Sequence, residues 1–215
     1  MSKSPESSTS PEQVIHIVDD DEALRDSLVW MLESNGYRTR CFASGEDFLA
    51  MLDDDMTGCV LLDVRMPGIS GLELFELLRA RKYGLPVIFI TGHGDVPMAV
   101  EALKRGAEDF IEKPFGDREV LAVIEAALAR ERDERQQRVL KADVSRRLAD
   151  LTQREYEVLQ LILAGKLNKQ IADVLGISIK TVEVHRARVM EKMGVRSLAE
   201  LVQHVLTVDP SIVRG

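Results

Sequence analysis

Three carboxylates, Asp19, Asp20 and Asp21, stand in a row directly after the apolar stretch Val14-Ile15-His16-Ile17-Val18. Like charges at such spacing resist ionising together, so either a proton is retained or a cation settles among them. Asp63 closes a second apolar run, "CVLL", Thr91 closes a third, "PVIFI", and Lys113-Pro114 follows "EDFIE". Hard oxygen donors of this kind suit Mg²⁺, which takes one or two carboxylates and keeps several waters. A hydroxyl and an ammonium beside such carboxylates form a clamp for a phosphoryl group, with Lys113 facing one oxygen and Thr91 another. Asp63 is then the nucleophile and an aspartyl phosphate the product.

That chemistry requires residues spread over almost a hundred positions to converge, and the periodicity supplies a way. "VIHIV" is a short strand, after which Leu24, Leu28, Met31 and Leu32 recur at helical spacing until Asn35-Gly36. "YRTRCF" then leads to "SGEDFLAML", "GCVLLD" to "GLELFELLRA", "LPVIFIT" to "VPMAVEALKRG", and "EDFIEK" to "DREVLAVIEAALA". Five strands, each followed by a helix, predict a five-stranded parallel sheet, doubly wound with helices on both faces, over residues 13–130. In such a sheet ligands gather beyond the carboxyl ends of the strands, where all the residues named above fall. Asp21 has a second reading as the cap of the first helix. Asp63 lacks that reading, because Met66-Pro67-Gly68 makes a turn before the next helix begins.

Charge divides the chain. The protein has 215 residues and a net charge of −8, but residues 11–130 carry 12 basic and 23 acidic side chains, whereas residues 152–208 carry 8 and 6. The acidic half is a poor partner for nucleic acid; the other half is not. Residues 131–150 are dense in charge and lack Gly and Pro, which predicts a helical linker. Residues 1–12 read as a disordered Ser/Pro lead-in and 209–215 as a tail. No apolar run is long enough for a membrane span and no signal-peptide core is visible, so a cytoplasmic protein is expected. Cys41 and Cys59 lack metal or disulfide spacing and are expected as small core residues.

Residues 151–208 predict four helices. "LTQREYEVLQLILAG" opens on Thr152 with Glu155 three residues on, a capping box. "NKQIADVLGIS" ends at Gly176 and "IKTVEVHRARVMEKMG" follows a tight turn, the pattern of a helix-turn-helix. At 100° per residue Val182, Val189 and Met193 share the core side, while Lys180, Val184, Ala187 and Arg188 point away. Small and basic side chains on an exposed face suit a helix in a DNA major groove. The last helix offers Leu198, Leu201, Val202 and Val205 as a stripe, either core or a contact between DNA-bound domains.

The stretches "VDDDEALRDSL", "LLDVRMPGISGLEL" and "VIFITGHGDVPMAVEALKRGAEDFIEKPF" resemble the flavodoxin-like receiver domain of two-component response regulators, the last run especially the FixJ type. "LTQREYEVL", "NKQIADVLGIS" and "KTVEVHRARVMEKM" resemble the LuxR-type DNA-binding domain. The resemblance implies Asp63 as phosphoacceptor, Asp19, Asp20, Asp63 and the carbonyl of Arg65 around Mg²⁺, and Thr91, Phe110 and Lys113 as switch and phosphoryl-binding residues, with a cis Lys113-Pro114 bond. It implies Glu183, Val184, Ala187 and Arg188 as base contacts, Lys169, Lys180, Arg186 and Lys192 as phosphate contacts, and Thr181 among them. The function implied is a transcriptional regulator of the FixJ/NarL family, an activator and not an enzyme. Its partners would be a sensor histidine kinase, promoter DNA, RNA polymerase and, on phosphorylation, a second copy docked through residues 96–106 and 108–111. A Mg²⁺-dependent phosphohydrolase would carry a second Asp two residues after the nucleophile, where Arg65 stands. An interaction protein with a vestigial pocket would not need Asp19, Asp20, Asp63, Thr91 and Lys113 together.

Overall fold

In the computed structural model residues 13–92 and 96–208 are described, and the chain divides into two compact units that meet at Arg135/Gln136. The expected lead-in over 1–12 and tail over 209–215 lie outside the described residues. The first unit alternates β1 (Val14–Val18), α1 (Glu22–Ser34), β2 (Arg38–Phe42), α2 (Gly45–Ala50), β3 (Gly58–Asp63), α3 (Gly71–Ala80), β4 (Val87–Thr91), α4 (Val96–Lys104) and β5 (Asp109–Glu112), and α5 (Asp117–Ala149) begins in it. The strands pair in parallel in the order β2-β1-β3-β4-β5. Parallel pairing sets all five carboxyl ends along one edge, and β1 and β3 are neighbours at its centre.

Burial on both faces explains the unbroken apolar strands. Alternate residues of β3 divide between two cores: Val60 and Leu62 pack with Phe48, Leu74, Phe75 and Phe89, and Cys59 and Leu61 with Leu28, Leu32, Val120 and Ile124. Cys59 is buried as expected, and burial pushes its thiol up to about 12. Cys41 is exposed, contrary to expectation, because β2 is an edge strand that buries only Phe42 fully. The first helix buries Leu28, Met31 and Leu32, and Asp21 caps it by accepting the amides of Ala23 and Leu24 at 2.9 and 3.2 Å.

The charged segment 131–150 is helical, continuous with the helix before it, since nothing from Asp117 to Ala149 breaks the ladder. Composition marks Val144 and Leu148 as linker, yet both join the core of the second unit. That unit also holds α6 (Gln153–Leu163), α7 (Asn168–Leu175), α8 (Ile179–Met193) and α9 (Leu198–Val208). Its core is formed by Val158, Leu159, Ile162, Ile171, Val182, Val189, Met193, Leu201 and Val205 among others. The stripe on α9 splits: Leu201 and Val205 are buried, whereas Leu198 is 47% exposed.

Candidate functional site

At the carboxyl edge of the sheet the predicted residues come together. Asp19 follows β1 and is buried, Asp63 ends β3 and is buried, and Thr91 ends β4 and is buried. Lys113, one residue beyond β5, is tied back by its own amide, which donates to the Thr91 carbonyl at 2.8 Å, and its bond to Pro114 is cis. Its ammonium donates to Asp63 Oδ1 at 2.7 Å and to Asp19 Oδ2 at 3.3 Å, so one cation bridges the two carboxylates. The remaining carboxylate oxygens are also held: Asp19 Oδ1 accepts the Asp21 amide at 2.8 Å, and Asp63 Oδ2 accepts the Arg65 amide at 2.6 Å. Arg25 reaches the carbonyl of Asp19 at 2.7 Å.

The electrostatics fit a site short of positive charge. Burial first, and the Asp63 charge with it, raise the Asp19 pKa although the Asp21 amide and Lys113 oppose them. Burial works against the Lys113 ammonium, yet its hydrogen bond to Asp63 and the charges of Asp63 and Asp19 outweigh it and leave the pKa raised. Asp20 is exposed beside this pair. Among the described residues no three His, Cys, Asp or Glu side chains group closely enough to hold a metal unaided. Mg²⁺ does not ask for three, and two neighbouring carboxylates, one buried and disfavoured as an anion beside the other, are a donor set it fits. The Thr91 hydroxyl donates to the Gly92 carbonyl at 3.1 Å. Phe110, paired with Phe89 in register, is half-buried against the Val60–Leu62 core.

The second unit presents a different surface. α7 closes on Gly176 with a left-handed backbone, φ 64°, and Ser178 caps α8 by accepting the Thr181 amide at 3.1 Å, so three residues, 176–178, turn the chain between helices. Arg154 fastens the turn from α6, donating to the Leu175 carbonyl at 2.6 Å. On α8, Val182, Val189 and Met193 are buried while Lys180, Glu183, Val184, Ala187 and Arg188 are exposed, as the helical phase requires. Lys169 is exposed; Thr181 and Arg186 are half-buried, and Thr181 Oγ1 shares a 2.8 Å hydrogen bond with Ser178.

Lys192, expected as a phosphate contact, is engaged within its own unit. Its ammonium donates to Glu155 Oε2 at 2.7 Å and to the Asp150 carbonyl at 3.0 Å, fastening α8 to the start of α6. Glu155 is buried and also completes the capping box with Thr152. The Lys192 hydrogen bond and the Thr152 amide pull its carboxyl down to about 2. The capping signal in the sequence located Glu155 but carried nothing about Lys192, which lies 37 positions away.

Two buried carboxylates bridged by a lysine at the edge of a doubly wound sheet, joined to a helix-turn-helix with a basic exposed face, describe a response regulator with a DNA-binding output. The comparisons agree with that class. Residues 15–125 match the response regulator receiver domain and residues 149–205 the luxR family of bacterial regulatory proteins. The chain is 49% identical to the transcriptional regulatory protein FixJ of Azorhizobium caulinodans over 91% of this chain and 93% of that one. The structure of response regulator StyR superposes with TM-score 0.84 at 44% identity, covering 90% of this chain and 98% of StyR. Full-length FixJ from B. japonicum gives TM-score 0.57 at 42% identity, over 92% and 98%. The chain therefore belongs to the response regulators with a LuxR-type DNA-binding domain, and it is a FixJ-like transcriptional regulator.

Proposed function

We propose that Asp63 accepts a phosphoryl group from a sensor histidine kinase and that this controls transcription from promoter DNA bound by residues 151–208. The observation that carries the reading is the Lys113 ammonium held between Asp63 and Asp19 at the sheet edge, with the Thr91 hydroxyl at the neighbouring strand end. Receivers as a family use Mg²⁺; here Asp19, Asp20, Asp63 and the carbonyl of Arg65 would hold it, and when bound it offsets the repulsion between an anionic donor and these carboxylates. Lys113 then stays on an oxygen of the incoming phosphoryl group, and the Thr91 hydroxyl exchanges the Gly92 carbonyl for another. Movement of Thr91 with Phe110 biases a two-state surface on residues 13–130, carried through the helical segment 131–150.

The output is a homodimer formed through α4 and β5, which sets two copies of α8 on a two-fold DNA site. Glu183, Val184, Ala187 and Arg188 face bases, and Lys169, Lys180 and Arg186 face phosphates, with Thr181 at the helix start. Lys192 belongs with the scaffold, its ammonium being spent on Glu155 and Asp150. The protein acts in the cytoplasm as an activator in contact with RNA polymerase, and its aspartyl phosphate is a signal, not a turnover intermediate. Intact-mass measurement after incubation with acetyl phosphate tests the chemistry. One phosphoryl group is expected on the native chain, none on Asp63→Ala and none in excess chelator; modification persisting in either case overturns the reading.

A further inference from the structure

Asp63 is followed by a seven-residue loop, 64–70, whose Arg65 amide donates to Asp63 Oδ2 at 2.6 Å. The loop is pinned at its far end by close backbone approach: the Gly71 amide donates to the Val64 carbonyl at 3.1 Å, and a Cβ on Gly71 would overlap the Asp63 carbonyl oxygen. Any shift of the loop is therefore passed to the main chain of Asp63 itself. The tip of the loop is held by a different element. Glu46, in the first turn of α2, accepts the Ile69 amide on Oε1 at 3.0 Å. Gly68, at φ 73°, leaves room for that carboxylate, since a Cβ there would overlap Glu46 Oε1. Gly45 adds a second approach, a Cβ on it falling 3.2 Å from the Ile69 carbonyl oxygen. Glu46 is exposed, and its place in the first turn of α2 also suits an acid.

We propose that Glu46 is a positioning residue for phosphoryl transfer at Asp63: through Ile69 it holds the 64–70 loop, and with it the Arg65 amide, in the geometry the reaction uses. The inference rests on Asp63 being the phosphoacceptor. In the reaction with acetyl phosphate an Asp63 carboxylate oxygen bonds to phosphorus as the phosphorus–oxygen bond to acetate breaks; acetate leaves with the electron pair and no proton is required. Reach, not charge, is what the loop asks of residue 46. Gln keeps the reach and an acceptor oxygen but drops the charge, whereas Asp keeps the charge and falls one methylene short.

The full-length protein with Mg²⁺ and acetyl phosphate supplies the test, following phosphorylation and its decay by intact mass, with the modified residue located by borohydride reduction and peptide mapping. Glu46→Asp and Glu46→Ala are expected to change the rate of phosphorylation or of hydrolysis about fivefold, the scale of one solvent-exposed hydrogen bond. Glu46→Gln is expected within about twofold of the native rate, and this rescue separates positioning from loss of fold. Native-like rates in both Asp and Ala variants, or a Gln variant as impaired as Ala, overturn the proposal while leaving the phosphoacceptor intact. Native modification at a residue other than Asp63 overturns both.

Discussion

Lys113 donates to Asp63 at 2.7 Å in the first unit, and Lys192 donates to Glu155 at the same 2.7 Å in the second. The contacts match, but the surroundings give them opposite consequences. Around Lys113 a second buried carboxylate competes for the same ammonium, and Asp19 is left with a raised pKa. Around Lys192 the carboxylate stands alone, accepts the Thr152 amide as well, and falls to about 2. One arrangement stores unfavourable charge at a strand edge and the other removes it at a helix start. An under-neutralised pocket suits the phosphoryl chemistry proposed for it, whereas a satisfied cap serves the fold. The same residue types thus make a strained pair or a rivet according to how many anions share the cation.

Neutralising one carboxylate in each unit breaks or sharpens the contrast most directly. Glu155 holds its charge better folded than unfolded, so its contribution is fully present above about pH 4.5 and is lost as pH falls toward about 2. Glu155→Gln is expected to cost the second unit on the order of 3 kcal/mol at neutral pH. Asp19→Asn should have the opposite sign, stabilising the first unit by on the order of 1 kcal/mol while impairing phosphorylation. Hydrogen exchange on the full-length protein, read separately over α6–α8 and β1–β3, measures both. Loss of protection in both units would show that the two lysine pairs are alike after all.

A smaller effect concerns the exposed cations of the second unit. Arg188→Ala is expected to cost about 1–3 kcal/mol on a site selected from a random DNA pool and to relax base preference there. Lys169→Ala and Lys180→Ala should weaken all sequences about equally and flatten the salt dependence, since phosphate contacts release counterions whatever the base. Titrations at two salt concentrations separate the cases. Identical behaviour of Arg188→Ala and Lys169→Ala would remove α8 from base recognition.

The smallest effect is a pH slope confined to the first unit. His16 is buried with Nε2 3.2 Å from the Thr57 carbonyl, and burial holds its pKa below the ordinary 6.5. The unfolded chain thus takes up a proton that the folded one refuses, so stability is full above about pH 6.5 and declines as pH falls toward the lowered value. His16→Gln, which keeps a donor for Thr57, should flatten the slope in β1 exchange, by less than about 1.4 kcal/mol per pH unit. A slope unchanged by the substitution would place its origin elsewhere.

Much of this was legible in the sequence because it is written in period. Alternating apolar runs and helical stripes located five strands and their helices, since burial on both faces demands continuous Val, Ile and Leu. The rule that ligands gather at strand carboxyl ends then brings Asp19, Asp63, Thr91 and Lys113 together from the sequence alone. Caps were equally visible: Asp21 and Thr152 act within three residues of where they stand. The phase of α8 likewise fixed which of its residues could meet solvent.

Pairings over long separations were left to the tertiary structure. That Lys192 reaches Glu155, that Glu46 answers Ile69, and that Cys41 faces water depend on which elements become neighbours and which strand is the edge. Local periodicity says which face a residue occupies, because that angle is set by the backbone of its own element. It cannot say what stands opposite, because a partner is chosen by packing among all elements at once. In this protein the sequence by itself determined the elements and the residue types at the sheet edge; only the folded chain decided how many anions share each lysine, because that number is set by which elements pack together.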